Sequence, residues 1–80
     1  MRRVTVTYDA HTRYVDRFVD DDINDDGICL GRASSLQEAE KLAFTEGYEL
    51  RMPWQSVGES ITEWYAEGVE VPEPEEAYRD

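Results

Sequence analysis

Cysteine, histidine and lysine each occur once in this 80-residue chain, and each scarcity removes a class of explanation. Cys29 stands alone, so no disulfide can close within the chain. His11 is the one imidazole, and no spacing ties it to Cys29 or to a serine in a nucleophile motif. One His and one Cys also fall short of a zinc ligand set. No stretch approaches the ~20 apolar residues of a membrane span. The opening "MRRVTVTYDA" has two arginines but no apolar h-region behind them. These absences predict a cytoplasmic protein, expressed as it stands, with no metal, no cofactor and no catalytic set.

Positive charge is scarce as well. Nineteen acidic groups face eight basic ones, seven of them arginine and only Lys41 lysine, for a net charge of −11. Such a surface disfavours direct contact with nucleic acid or an anionic membrane, whose phosphates need cations. It favours basic partners, among them the surfaces that normally hold nucleic acid. A GC-rich genome or a high-salt cytoplasm would also produce an Arg-rich, Lys-poor, Asp-rich chain.

What is present predicts a small α+β domain over 1–71: an antiparallel sheet of three to four strands on one main helix, with a second, shorter helix. In "RVTVTY", Val4, Val6 and Tyr8 alternate with Thr5 and Thr7, as in a half-buried strand. "RYVDRFV" reads as a second strand across a short turn, with a helix as the alternative because Tyr14, Val15, Phe18 and Val19 share one helical face. "GICLGRA" offers a third strand and "YELRM" a fourth. "SSLQEAEKLAFTEG" is the clearest helix. Ser35 and Glu38 make a capping box, Leu36, Ala39, Leu42 and Ala43 an apolar stripe, and Gly47 a left-handed stop. Trp54, Val57, Ile61, Trp64 and Tyr65 recur at helical spacing, with a second capping box at "SITE", so a helix is expected from Ser60 to Gly68. The tail over 72–80, rich in Pro and Glu, reads as acidic and flexible, following a short strand at 69–71.

The segment "DDDINDDG" packs five aspartates without a cation. Asp22, Asn24, Asp26 and Gly27 match the opening of an EF-hand loop, but its twelfth position is Ala33 where a bidentate Glu is needed. An Asp/Asn/Gly hairpin loop accounts for the same residues. Cys29 reads as a small hydrophobe in an apolar strand. Trp54, Trp64 and Tyr65 read as core, with an interface anchor as the alternative.

The acidity is also segregated. Residues 57–80 carry eight carboxylates against Arg79, whereas residues 1–19 carry four arginines against Asp9 and Asp16. Carboxylates on alternate residues of an extended chain lie ~6–7 Å apart, a spacing comparable to that of phosphates along a strand. A groove lined with Lys and Arg can accept them in place of a nucleic acid.

Two resemblances bear on this. "GRASSLQEAEKLA", following antiparallel strands, resembles the strand-to-helix junction of HicB-type antitoxin domains, although "YVDRFVDDD" departs from their glycine-rich hairpin. In kind rather than motif, a small acidic α+β chain without a catalytic set is similar to the phage-encoded anti-CRISPR proteins, many of which occupy the nucleic-acid channels of CRISPR effectors. That likeness implies a non-enzymatic inhibitor that binds a basic nucleic-acid-handling protein such as a Cas subunit. Asp20, Asp21, Asp22, Asp25 and Asp26 would form one contact patch, and Glu67, Glu70 and Glu73 a second. The alternative is a HicB-like or other protein-interaction domain using an apolar surface.

Overall fold

The computed structural model describes residues 2–71. The tail expected over 72–80, Glu73 included, lies outside the described residues. The alternation at the start of the chain becomes β1 (Arg3–Asp9), with Val4, Val6 and Tyr8 buried and Thr5 and Thr7 half-exposed. A four-residue turn closed by Arg13, in left-handed conformation at φ 70°, leads to β2 (Tyr14–Val19). Asp9 Oδ1 shapes that turn by accepting the N–H of His11 at 2.8 Å. Of the two readings open for this segment, the strand is the observed one: Val15, Arg17 and Val19 are buried while Tyr14, Asp16 and Phe18 face outward.

After the aspartate loop comes β3 (Ile28–Arg32), antiparallel to β2. Its pairing shifts register between Val15 and Asp16, so Leu30 is an extra residue there, next to Gly31 at φ 144°. Helix α1 (Leu36–Thr45) begins at Ser35, whose Oγ accepts the Glu38 N–H at 3.2 Å, while Glu38 Oε1 reaches back to the Ser34 N–H at 2.9 Å. It ends before Gly47 at φ 101°. β4 (Tyr48–Leu50), β5 (Gln55–Ser56) and β6 (Glu63–Glu70) follow.

All six strands form one antiparallel sheet in the order β3-β2-β1-β6-β4, with β5 also on β6. Thus β4 and β5 line the same outer side of β6, separated at 51–54, where the N–H groups of Arg51 and Met52 both donate to the Glu67 carbonyl. Helix α1 covers one face through Ala39 and Ala43, with Leu36 and Leu42 alongside. Beneath lie Val4, Val6, Tyr8, Val15, Val19, Ala33 and Tyr48. The largest fully covered side chains are valines, each stabilising the fold by roughly 1.5–3 kcal/mol through burial. The Tyr8 hydroxyl, buried with them, donates to the Ala33 carbonyl at 2.9 Å. The sheet curls, bringing Arg17 of β2 within 5.6 Å of the Tyr48 ring of β4 across two intervening strands.

Two expectations are corrected. The sheet has six strands, not three to four, and α1 is the only helix among the described residues. The segment expected to form the second helix is instead the central strand β6. Its Trp64, Ala66 and Gly68 face the core, opposite Tyr8, Val6 and Val4. The local signal at Ser60 is real but serves another purpose. Its Oγ accepts the N–H groups of Thr62 at 3.1 Å and Glu63 at 3.0 Å, a Ser/Thr turn that delivers the chain into a strand. Eight residues that include Trp64, Tyr65 and Val69 then gain more from hydrogen bonds to β1 and β4 than from a short free-standing helix.

Candidate functional site

Strand alternation divides the sheet into two unlike faces. One lies under α1. The other, the open face, receives Arg3, Thr5, Thr7 and Asp9 from β1, Tyr14, Asp16 and Phe18 from β2, and Glu63, Tyr65, Glu67 and Val69 from β6. No side chain of this set is buried. Register fixes their layout. Tyr65, Thr7 and Asp16 stand in one row across three strands, with Cys29 next in line on β3. Glu67, Thr5 and Phe18 form the neighbouring row. Glu63 and Glu67 are therefore separated by ~13 Å along the strand, with Tyr65 between them.

The aspartate loop continues this surface. Asp20 Oδ1 accepts the Thr5 hydroxyl at 2.7 Å, which ties the start of the loop to the open face. Gly27, at its end, lies against the Phe18 ring, where any Cβ would meet ring carbons at 2.5–2.7 Å. Asp20 and Glu67, drawn from the two patches expected in the sequence, meet at a shallow depression of about 220 Å³ that Arg3, Arg51, Met52 and Val69 also line. Asp21, Asp22 and Asp26 are exposed along the loop. Asp22 Oδ1 accepts the Asn24 N–H at 3.0 Å, the turn chemistry that such residues favour.

Asp25 is placed differently. Its Oδ2 accepts the Val19 N–H at 2.8 Å, and its Oδ1 lies 3.4 Å from Arg17 Nη1. The first contact completes β2 just beyond the point where β3 pairing stops, since Ile28 pairs with Arg17 and no backbone acceptor is left for Val19. The second gives the buried Arg17 its counter-charge. Asp25 therefore anchors the loop to the sheet. Glu70 is also set apart. It lies three residues from Glu67 on a strand, hence on the opposite face, and pairs with Arg2 at 3.9 Å.

Among the described residues, Asp20, Asp21, Asp22, Asp26 and Glu67 make no ion pair, whereas Asp25, Glu70 and Glu49 do, Glu49 with Arg51 at 3.2 Å. No three His, Cys, Asp or Glu side chains among the described residues converge as a metal site. Three acidic positions of the open face, Asp9, Asp16 and Glu63, are absent from the patches expected in the sequence. The signal for Glu63 was the alternation Glu63–Tyr65–Glu67, which surfaces once "TEWYAEGVE" is read as a strand. Trp64 packs against the core from β6, and Trp54 does so from the connection before β5. No helix among the described residues is long and apolar enough to cross a membrane. No protein-family model matches the chain, and neither does any curated protein or solved structure.

Proposed function

We propose that this protein is a non-enzymatic acidic inhibitor, a domain that binds the cationic surface of a nucleic-acid-handling protein and keeps nucleic acid away from it. The specific target class is a CRISPR effector complex, and the setting a phage-infected host cytoplasm. The observation that supports this reading is that Asp20 and Glu67 line one depression on the uncovered sheet face, shared with Arg3 and Arg51. Asp16 and Glu63 stand on that face, and Asp21, Asp22 and Asp26 flank it. The sheet holds Asp16, Glu63 and Glu67 at fixed spacings, so little backbone ordering entropy is lost when arginines of a partner meet them. Thr5, Thr7 and Tyr65 supply hydroxyls between them, as a hydrated backbone would supply polar atoms.

The test is displacement of fluorescent duplex DNA from a purified CRISPR effector complex. Wild-type protein should displace it with a potency that falls steeply as salt rises. A variant carrying Asp16→Asn, Asp20→Asn, Glu63→Gln and Glu67→Gln should need about tenfold more protein or worse. Equal potency of the two would sink the proposal.

One observation favours a second reading, that of a HicB-like or other interaction domain working through an apolar surface. Phe44 is 66% exposed on α1 and, with Leu50, gives an apolar centre to an open groove of about 550 Å³ beside β4, rimmed by Gln37, Glu40, Lys41 and Glu49. Binding by that route would be insensitive to salt and would be lost in Phe44→Ser while the carboxylate variant retained it.

A further inference from the structure

The two edges of the sheet are not alike. Along one, β4 and β5 are three and two residues long, separated by a segment containing Pro53 and carrying the Glu49–Arg51 ion pair. Short, charged, proline-interrupted edges resist pairing with another chain. The other edge is β3, "ICLGR", five residues with one charge at its end. Among the described residues no strand pairs with its outer side. Its bulge turns Leu30 onto the core and leaves that outer side uncovered. Exposed apolar side chains also gather here: Tyr14, Phe18, Ile23 and Ile28 lie on β2, on β3 or on the loop between them.

We infer that β3 pairs with β3 of a second copy of this chain, antiparallel about a two-fold axis at Cys29. This inference stands on the edge alone and does not depend on the acidic face. What selects a second copy is the charge along the edge, which reverses from end to end. Exposed Asp26 precedes the strand, and exposed Arg32 closes it, its guanidinium 5.8 Å from the Tyr14 ring. An antiparallel two-fold places each end against its opposite, the self-complementarity that such a symmetric interface requires. A two-fold at Cys29 brings Asp26, two residues before the strand and across Gly27 at φ 83°, to the Arg32 end of the second copy. Ile28 then faces Leu30, and Cys29 faces its own symmetry mate. Directly opposed residues of an antiparallel pair have Cα atoms ~4.5–5.5 Å apart, inside the range a disulfide spans. The net charge of −11 does not forbid this. Long-range repulsion is screened over ~8 Å at physiological ionic strength, whereas the cross-strand pairs meet within that distance.

Sedimentation from micromolar to millimolar protein should show a monomer–dimer equilibrium. Diamide should take two hydrogen atoms from the paired Cys29 thiols and trap the dimer as one disulfide, absent in Cys29→Ser. Asp26→Arg should weaken dimerisation about tenfold, as should Arg32→Asp, and the two together should restore it. Circular dichroism checks that each variant is folded, and Ile28→Lys, on the same edge, reads the same contact if Asp26→Arg is not. A chain that stays monomeric throughout overturns the inference. So does a dimer that Cys29 fails to trap, or one that the paired charge reversal fails to restore.

Discussion

Asp25 and Arg17 meet at 3.4 Å with side chains only 15% and 11% exposed, so the acidic loop is fastened to the sheet by a nearly covered ion pair. Arg17 has few alternatives. Its remaining neighbour of note is the Tyr48 ring, and its Nε has no hydrogen-bond partner.

Asp25→Asn should therefore cost about 3 kcal/mol, because it leaves a buried guanidinium without a counter-charge. Combining it with Arg17→Met should cost clearly less than the sum of the two single changes, since the double variant leaves no unpaired charge. Urea unfolding of the four proteins in the cycle measures this, and additive losses would show that the pair is not coupled.

Gly68→Ala should be among the most damaging small substitutions in the chain. Gly68 faces Leu50 across the β4–β6 pair, and a Cβ there would come within 2.3 Å of the Glu49 carbonyl oxygen and 2.9 Å of the Leu50 Cα. Those are backbone atoms and cannot swing away. Either β4 separates from β6 or the sheet deforms, and a loss of roughly 1–3 kcal/mol is expected. The thermal midpoint reads the loss, and amide exchange at Leu50 shows whether β4 has detached.

Arg13→Gly should have the opposite effect. Arg13 occupies the left-handed region at φ 70° in the β1–β2 turn and is exposed. A residue with a Cβ is disfavoured there by about 1 kcal/mol, and glycine is not. A gain of that size would raise the melting temperature by roughly 4–8 °C in a domain of this size. An unchanged or lower midpoint would show that the arginine side chain contributes something the turn geometry does not.

Millimolar calcium should leave the melting temperature unchanged, and Asp22→Ala should not alter that result. In the EF-hand-like spacing Asp22 accepts the Asn24 N–H in a local turn, Asp25 is turned to Arg17, and no three carboxylates among the described residues converge. A clear upward shift with calcium that Asp22→Ala abolishes would reverse this reading.

Legibility of the sequence followed the range of the forces involved. α1 was readable because its start and stop are local: the Ser35–Glu38 box and the left-handed Gly47 act within a few residues. β1 was readable because the Val/Thr alternation reports directly on a sheet with one covered face. β6 was not. The box at Ser60 is the same local signal as at Ser35, and only pairing with β1 on one side and β4 on the other decides between a cap and a strand-leading turn. The candidate site shared that limit. The aspartate loop was visible as charge, but the separate fate of Asp25 depends on where β2 places Arg17. Glu67 and Glu70 looked like one patch because they are close along an acidic stretch, whereas residues three apart on a strand fall on opposite faces.

The pairing of β1 with β6 puts the earliest and latest strands of the described chain side by side at the middle of the sheet, with the Glu70 N–H donating to the Arg2 carbonyl at 2.7 Å. Until Glu70 has cleared the ribosome, the hairpin of β1 and β2 has no partner on its inner edge and α1 has half a floor to rest on. Folding must wait for nearly all of this length to be synthesised, and a nascent chain stalled before β6 would present Val4, Val6 and Tyr8 to the chaperones.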